Sequence, residues 1–235
     1  MDLCRITHPL RLAKGSHQPG TGRGCAMNVI SYINGDAHVT DFPTCSAVPL
    51  SLLVQASNDL LADADGYLSP ANSVLALELA WQTVGTADVP DTIVHAWIAE
   101  LLTNPTWGVL QYASLTVIKA IAGIGDLHRA AASGTVPAVE DWAAAKSAAR
   151  ETNSTSSIAG RYALRAAHDS ATCDGLNVDD LIAHALNAHA AASGRSAATR
   201  IAEVTGHAIR SWRDLAGLDA RDASPVPDRV LQLVA

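Results

Sequence analysis

Histidine, cysteine and aspartate residues are concentrated near the N-terminus, where their side chains could bind a metal ion. The set consists of His17, Cys25, His38, Asp41 and Cys45. Thiolate, imidazole and carboxylate groups are the usual zinc ligands, and a tetrahedral site needs three or four of them to converge. Gly35 and Pro43 lie between these residues and could reverse the chain so that the ligands meet. The sequence therefore indicates a candidate metal site, with zinc as the candidate ion, formed by His17, Cys25, His38 and Cys45.

The same residues allow other interpretations. Cys25 could act as a nucleophile, because the start of a helix stabilises a thiolate and a nearby histidine could serve as the base. The residues could also line a pocket for a small ligand. Alternatively, the cysteines are small apolar side chains in the core, where free cysteines most often lie. The chain contains no Cys-x-x-Cys pair, which excludes a standard zinc finger.

Four short motifs lie within about the first sixty residues of the chain. They are Lys14-Gly15-Ser16-His17, Cys25-Ala26-Met27-Asn28, Asp41-Phe42-Pro43-Thr44-Cys45 and Asn58-Asp59. As a set they resemble the N-terminal region of an uncharacterised family that we associate with actinobacteria and their phages. Members of that family carry Gly-Ser-His, Cys-x-Met-Glu, Ser-Asp-His-Pro-x-Cys and Asn-Asp ahead of an Ala/Trp-rich helical region. The resemblance implies no particular activity.

The chain departs from the family pattern at two positions. Asn28 stands where the family has glutamate, and Phe42 stands where it has histidine. Each change removes a group that could bind a metal or move a proton, although His38 could supply an imidazole from a different position. An amide cannot act as a general base near neutral pH. These departures weaken the prediction of an enzyme more than the prediction of a structural role.

The segment from Ala198 to Leu215 has a pattern typical of a helix-turn-helix. Gly206 would allow a left-handed turn between two short helices, with Ala202 at their point of contact. The arginine-rich segment would present polar side chains to phosphates and base edges. The candidate DNA-binding residues are Arg200, His207, Arg210, Ser211 and Arg213. A plain hairpin of two amphipathic helices would give a similar pattern.

A histidine-rich stretch precedes this segment. Asp180 and His184 lie four residues apart, on one face of a predicted helix, and His168 and His189 are in the same region. An aspartate and a histidine at this spacing could hold a metal ion, or could form a weak, solvated pair on the helix surface.

The composition predicts the elements that must position these residues. Apolar residues make up 49% of the chain and aromatic residues only 4%. Alanine supplies much of the apolar fraction and has the highest helix propensity, so we expect an all-α multi-helix bundle with a small, irregular N-terminal Cys/His-containing module. The predicted domains are the N-terminal module at 1–48, a helical bundle at 49–152, and an Ala-rich helical region at 153–235 with the helix-turn-helix at 196–215.

Charge and hydropathy restrict the function classes. The net charge of -7 argues against general affinity for phosphate backbones, but a local basic surface could still bind nucleic acid. We expect neither a membrane span nor a signal peptide, and therefore a cytoplasmic protein. The sequence predicts a non-enzymatic regulatory or interaction protein with DNA as its ligand. The alternatives are a metal- or thiol-dependent activity at the N-terminal cluster and a helical protein for oligomerisation or partner binding.

Overall fold

The computed structural model describes residues 11–15, 23–151, 157–171 and 178–218, together with residues 227 and 231. These residues form α-helices, short 3-10 turns and isolated bridges, and they contain no β-strand. The predicted all-α fold is therefore confirmed. None of the described helices is long and apolar enough to cross a membrane.

Contacts between Cα atoms divide the chain into two compact units. One unit comprises Met1–Asp88 with Gly217–Ala235, and the other comprises Val89–Ala216. A division by contacts does not test which segments fold as units. The predicted domain ranges 1–48, 49–152 and 153–235 therefore stay a prediction.

The first unit contains α1 (Ala26–Asn34), α2 (Val48–Leu61) and α3 (Pro70–Gln82). The three helices pack on one another around a core in which Ile30, Leu50 and Leu77 are fully buried. Helix α1 ends at Gly35, whose φ of 83° is left-handed and suits a residue without a Cβ. Helix α3 begins after Ser69, whose side chain accepts a hydrogen bond from the backbone N–H of Asn72.

The second unit contains six described helices. They are α4 (Asp91–Thr103), α5 (Leu115–Ala132), α6 (Val139–Glu151), α7 (Ile158–Ser170), α8 (Asp179–Ser193) and α9 (Ala197–Leu215). The most extensive contacts join α7 to α8 and α4 to α5. At the centre, the rings of Trp97 and Trp212 meet edge to face at a centroid distance of 5.5 Å, and both are fully buried.

The predicted helix-turn-helix at 196–215 is wrong, because α9 is one continuous helix. Its buried side chains recur at spacings of three and four residues, with no change of phase at Gly206. The buried residues are Ile201, Val204, Thr205, Gly206, Ala208, Ile209, Trp212 and Arg213. A single helix therefore buries most of the apolar positions of both predicted helices, although Leu215 at its end is exposed. The indole N–H of Trp97 donates to the carbonyl oxygen of Ala208 at 2.9 Å, which fixes the helix just after Gly206.

The apolar stretch from Thr106 to Ala132 does not form one helix. Residues Val109–Tyr112 form a 3-10 turn, and α5 begins only at Leu115. The side-chain oxygen of Asn104 accepts a hydrogen bond from the backbone N–H of Thr106, and the N–H of Gly108 donates to the carbonyl of Asn104 at 2.8 Å. The backbone of Gly108, Ala113 and Ser114 is extended, with ψ of 158°, 138° and 162°, so no helix can run from Thr106 into α5.

Two glycines of α5 offer a matched test of its packing. A Cβ at Gly123 would meet no atom within 4 Å, so Gly123→Ala should raise the free energy of unfolding by about 0.5–1 kcal/mol. A Cβ at Gly125 would lie 2.6 Å from the Cγ2 of Thr103, whose hydroxyl is bonded to Ala99 and Arg129. Gly125→Ala should therefore lower the free energy of unfolding by about 1–3 kcal/mol in urea titrations. Equal effects of the two substitutions would contradict this packing.

Candidate functional site

Cys25 lies at the start of α1 and is buried, with 1% of its surface exposed. Its S–H group donates to the Oδ1 atom of Asp41 at 3.4 Å. Burial, together with the negative charge of Asp41, raises the pKa of the Cys25 thiol to about 12. The thiol is therefore neutral at physiological pH, and in this state it is a poor nucleophile.

Side-chain amides hold the surroundings of Cys25 in place. The Asn28 amide oxygen accepts from the backbone N–H of Cys25 at 2.9 Å, and its N–H donates to Asp41 at 2.8 Å. The Asn58 amide bridges the N–H of Ala26 and the carbonyl of Ala13. A carboxylate in place of the Asn28 amide would meet Asp41 with like charge. An amide at position 28 therefore fits this network.

The described members of the predicted metal site do not converge. No group of three or more His, Cys, Asp or Glu side chains that could hold a metal occurs in the described part of the chain. His38 is exposed, whereas Cys45 is half-buried, and burial followed by the charge of Asp36 raises the pKa of Cys45. The fourth member, His17, lies outside the described residues. The structure thus brings Cys25 to Asp41.

The predicted DNA-binding residues occupy different environments on α9. Arg210 is exposed, whereas His207 and Ser211 are half-buried. The guanidinium of Arg200 donates to the Thr106 carbonyl oxygen at 3.3 Å and lies 3.6 Å from Glu203. Arg213 is buried, with 5% of its surface exposed. Of the five predicted residues, Arg210 is therefore the one most accessible to a phosphate.

Two histidines in the core of the second unit, His128 and His189, are kept neutral. The Nδ1 atoms of His95 and His128 lie 2.9 Å apart, so that one ring donates to the other, and the Trp142 ring packs against both. Burial, with a smaller contribution from His95, lowers the pKa of His128 to about 3. Burial and the charge of Arg200 lower the pKa of His189 to about 4, and its Nδ1 atom lies 2.8 Å from the Tyr112 hydroxyl.

A second histidine cluster lies at the partly exposed edge between α7 and α8. The carboxylate of Asp169 bonds with the Nδ1 atom of His168 at 2.9 Å and with the Nδ1 atom of His184 at 2.8 Å. The Nε2 atom of His168 accepts from the Nε–H group of Arg150 on α6 at 3.0 Å. The sequence pattern paired His184 with Asp180, but in the structure its carboxylate partner is Asp169.

Arginines surround this edge, and we call Arg150, Arg161 and Arg165 the arginine surface. All three are exposed. Neither Arg161 nor Arg165 forms an ion pair with any residue in the described ranges. A cleft of about 310 Å³ is lined, among the described residues, by Ile158, Arg161, Tyr162 and Arg165. The Tyr162 ring lies 5.9 Å from the ring of His184, which connects the cleft to the histidine cluster.

Sequence reasoning missed this arrangement for a physical reason. Arg161 and Arg165 are four residues apart and could have been placed on one helix face from the sequence. The hydrogen bond between Asp169 and His184 joins two helices, so it depends on the axial register of α7 against α8. Helical periodicity within one segment carries no information on that register.

Comparisons with known proteins do not extend these findings. The chain matches no protein-family model, no curated protein and no solved structure. The resemblance of the N-terminal motifs to a family from actinobacteria and phages stays a prediction.

Thiol labelling tests the environment of Cys25. At about pH 8, folded protein should alkylate at Cys25 at least about a hundredfold more slowly than urea-unfolded protein, because the thiolate is disfavoured and access is blocked. Peptide mass spectrometry after timed exposure to iodoacetamide would measure this, with the half-buried Cys45 as internal reference. Equal rates at the two cysteines in folded protein would contradict the buried, protonated state.

The core histidines should make the second unit sensitive to acid. An unfolded histidine binds a proton near pH 6.5, but folded His128 does not do so until about pH 3. Neutral His128 therefore does not reduce the free energy of unfolding above pH 6.5. It reduces this free energy increasingly as the pH falls from 6.5 towards the folded pKa. Between pH 7 and pH 5 this single residue should remove about 2 kcal/mol from the free energy of unfolding.

Urea titrations followed by tryptophan fluorescence would measure this loss. In His128→Gln the difference between the two pH values should shrink by about 2 kcal/mol. The exposed His38→Gln variant is the matched control and should leave the difference unchanged. The same pH dependence in His128→Gln and in the unsubstituted protein would show that His128 is not held neutral.

Proposed function

We propose that this protein is a non-enzymatic interaction protein that binds single-stranded nucleic acid through the arginine surface. The observation that carries the proposal is the pair of exposed arginines on α7, Arg161 and Arg165, which no described carboxylate neutralises and which share a cleft with Tyr162. The predicted DNA partner is thereby assigned to α7 rather than to the segment 196–215.

The chemistry of these side chains suits a phosphate backbone. A guanidinium presents a planar fork of N–H donors that matches phosphate oxygens, and its charge persists at all accessible pH values. Arg161 and Arg165 are separated by about 6 Å along the helix axis, so the two can contact different phosphates of one chain. Arg150 is held against His168 and adds a third positive charge beside them.

Tyr162 favours a single strand over a duplex. Proteins that bind single strands combine a basic groove with aromatic rings on which bases stack. The half-buried ring of Tyr162 lies between the two arginines in sequence and lines the same cleft. In a duplex the bases are stacked on each other, and this ring could not reach a base face.

The overall charge of the chain makes the proposed binding local. A net charge of -7 repels a polyanion at long range, so contacts must come from a surface where positive charge is concentrated. We therefore expect affinity to fall steeply with salt, with a slope that reports the few phosphates neutralised.

Fluorescence anisotropy with a labelled oligodeoxythymidylate of about 20 nucleotides tests the proposal at about pH 8. The double variant Arg161→Ala/Arg165→Ala should bind about tenfold more weakly or worse. Its plot of log affinity against log salt should be shallower by about 1.4, because each lost phosphate contact removes about 0.7 from the slope for a single strand.

Arg210→Ala is the matched control, since it removes an exposed arginine of the same unit. It should leave affinity and salt slope unchanged. A loss in Arg210→Ala equal to that in the double variant would place binding on α9 and sink the proposal. Unchanged binding in the double variant would do the same, and equal affinity for duplex DNA would remove the role given to Tyr162.

A further inference from the structure

We propose that His184 is a further phosphate-binding group of the arginine surface, and that its charge is supplied by a proton taken up when the nucleic acid binds. This inference rests on the proposed function and adds the regulation of the same site by pH. It depends on the hydrogen bonds of one carboxylate, which fix where the protons of two histidines lie.

The bonding of Asp169 determines the tautomer of both imidazoles. An ionised carboxylate only accepts hydrogen bonds, so the Nδ1 atoms of His168 and His184 must both carry hydrogen. In a neutral ring the Nε2 atom then has a lone pair. On His168 that lone pair accepts from Arg150, so both ring nitrogens are occupied.

His184 differs from His168 in having no partner recorded for its Nε2 atom within the described part of the chain. About 25% of the His184 side chain is exposed, so a proton and a ligand can reach it. Protonation at Nε2 leaves the bond to Asp169 intact and pairs the new positive charge with that carboxylate. It also converts the Nε2 atom from an acceptor into a donor that a phosphate oxygen can accept from.

The position of His184 places this donor beside the arginine surface. Its ring contacts Tyr162 and its Nδ1 atom contacts Asp169. Arg165 lies between those two residues on α7, three positions after the first and four before the second, and therefore on the same side of the helix. A phosphate held by Arg165 would thus lie near the imidazole of His184.

The charges around His184 come from three helices. On α7 they are Asp169, which bonds to the ring, and Arg165, which lies one turn before Asp169. On α8 Asp180 lies one turn before His184. From α6, Arg150 is turned to His168. The basic groups of α9 act on the opposite flank of α8, where Arg200 faces His189.

The expected signature is affinity that rises as the pH falls. Histidine side chains ordinarily gain their charge between pH 8 and pH 5, whereas arginine does not change. A hydrogen bond from a charged donor to phosphate should raise affinity about tenfold between pH 8 and pH 5.5. Oligodeoxythymidylate is the suitable probe, because its bases do not titrate in this range.

Affinities for the oligonucleotide of about 20 nucleotides would be measured by anisotropy at about pH 8 and about pH 5.5. His184→Gln should lose the tenfold gain and should show nearly the same affinity at both pH values. His184→Lys keeps a positive charge opposite Asp169 and should bind tightly at both pH values. His38→Gln, which removes an exposed histidine of the first unit, should retain the full gain.

The two proposals fail in distinguishable ways. If the arginine double variant binds normally at about pH 8, the arginine surface is not the binding site and the proposed function fails. If the arginines matter at pH 8 but His184→Gln retains the gain at pH 5.5, the role of His184 is refuted and the proposed function stands. A gain lost equally in His38→Gln and His184→Gln would show general attraction by histidine charge and would also refute it.

Discussion

The arrangement of the partly exposed edge between α7 and α8 depends on the hydrogen bonds of the Asp169 carboxylate. It bonds to histidines on two helices, so it joins α7 to α8 and, when ionised, determines the tautomer of each ring. That contact is possible because the buried face of α7 consists largely of small residues, among them Ala159, Gly160 and Ala163. Small side chains let two helices approach closely, and they bury little area each. The polar contacts at the edge of this interface then add directional hydrogen bonds to that packing.

The histidines of the second unit divide into two classes by depth. His128 and His189 lie in the core, where burial lowers the pKa of each far below the usual value for imidazole. His168 and His184 lie at the edge, where a carboxylate and solvent reach them. The same residue type therefore serves as a neutral packing group at one depth and as a bonded, chargeable group at the other. Burial decides the role, because desolvation penalises the charged ring.

Helix positions could largely be predicted from local signals, whereas the candidate site could not. Ser69 and Ser157 accept hydrogen bonds from the N–H groups at the starts of α3 and α7, as N-cap preferences lead one to expect. The pattern around Gly206 predicted two helices, which is wrong. The apolar periodicity continues through the glycine, and packing against Trp97 favours one helix. The partners of Cys25 and His184, namely Asp41 and Asp169, are on other elements. These pairs form only when the helices pack together, and no short sequence motif indicates which residues will meet.

The two classes of histidine also respond differently to a falling pH. An imidazole at the edge keeps its bond to Asp169 whether or not its Nε2 atom carries a proton. The core imidazoles stay neutral in the folded protein until the pH nears 3 or 4, whereas in the unfolded chain they take up protons near pH 6.5, so each lowers the free energy of unfolding over the range between. The core histidines therefore limit how far the pH can fall before the unit unfolds, and a charge at the edge can serve binding only above that limit.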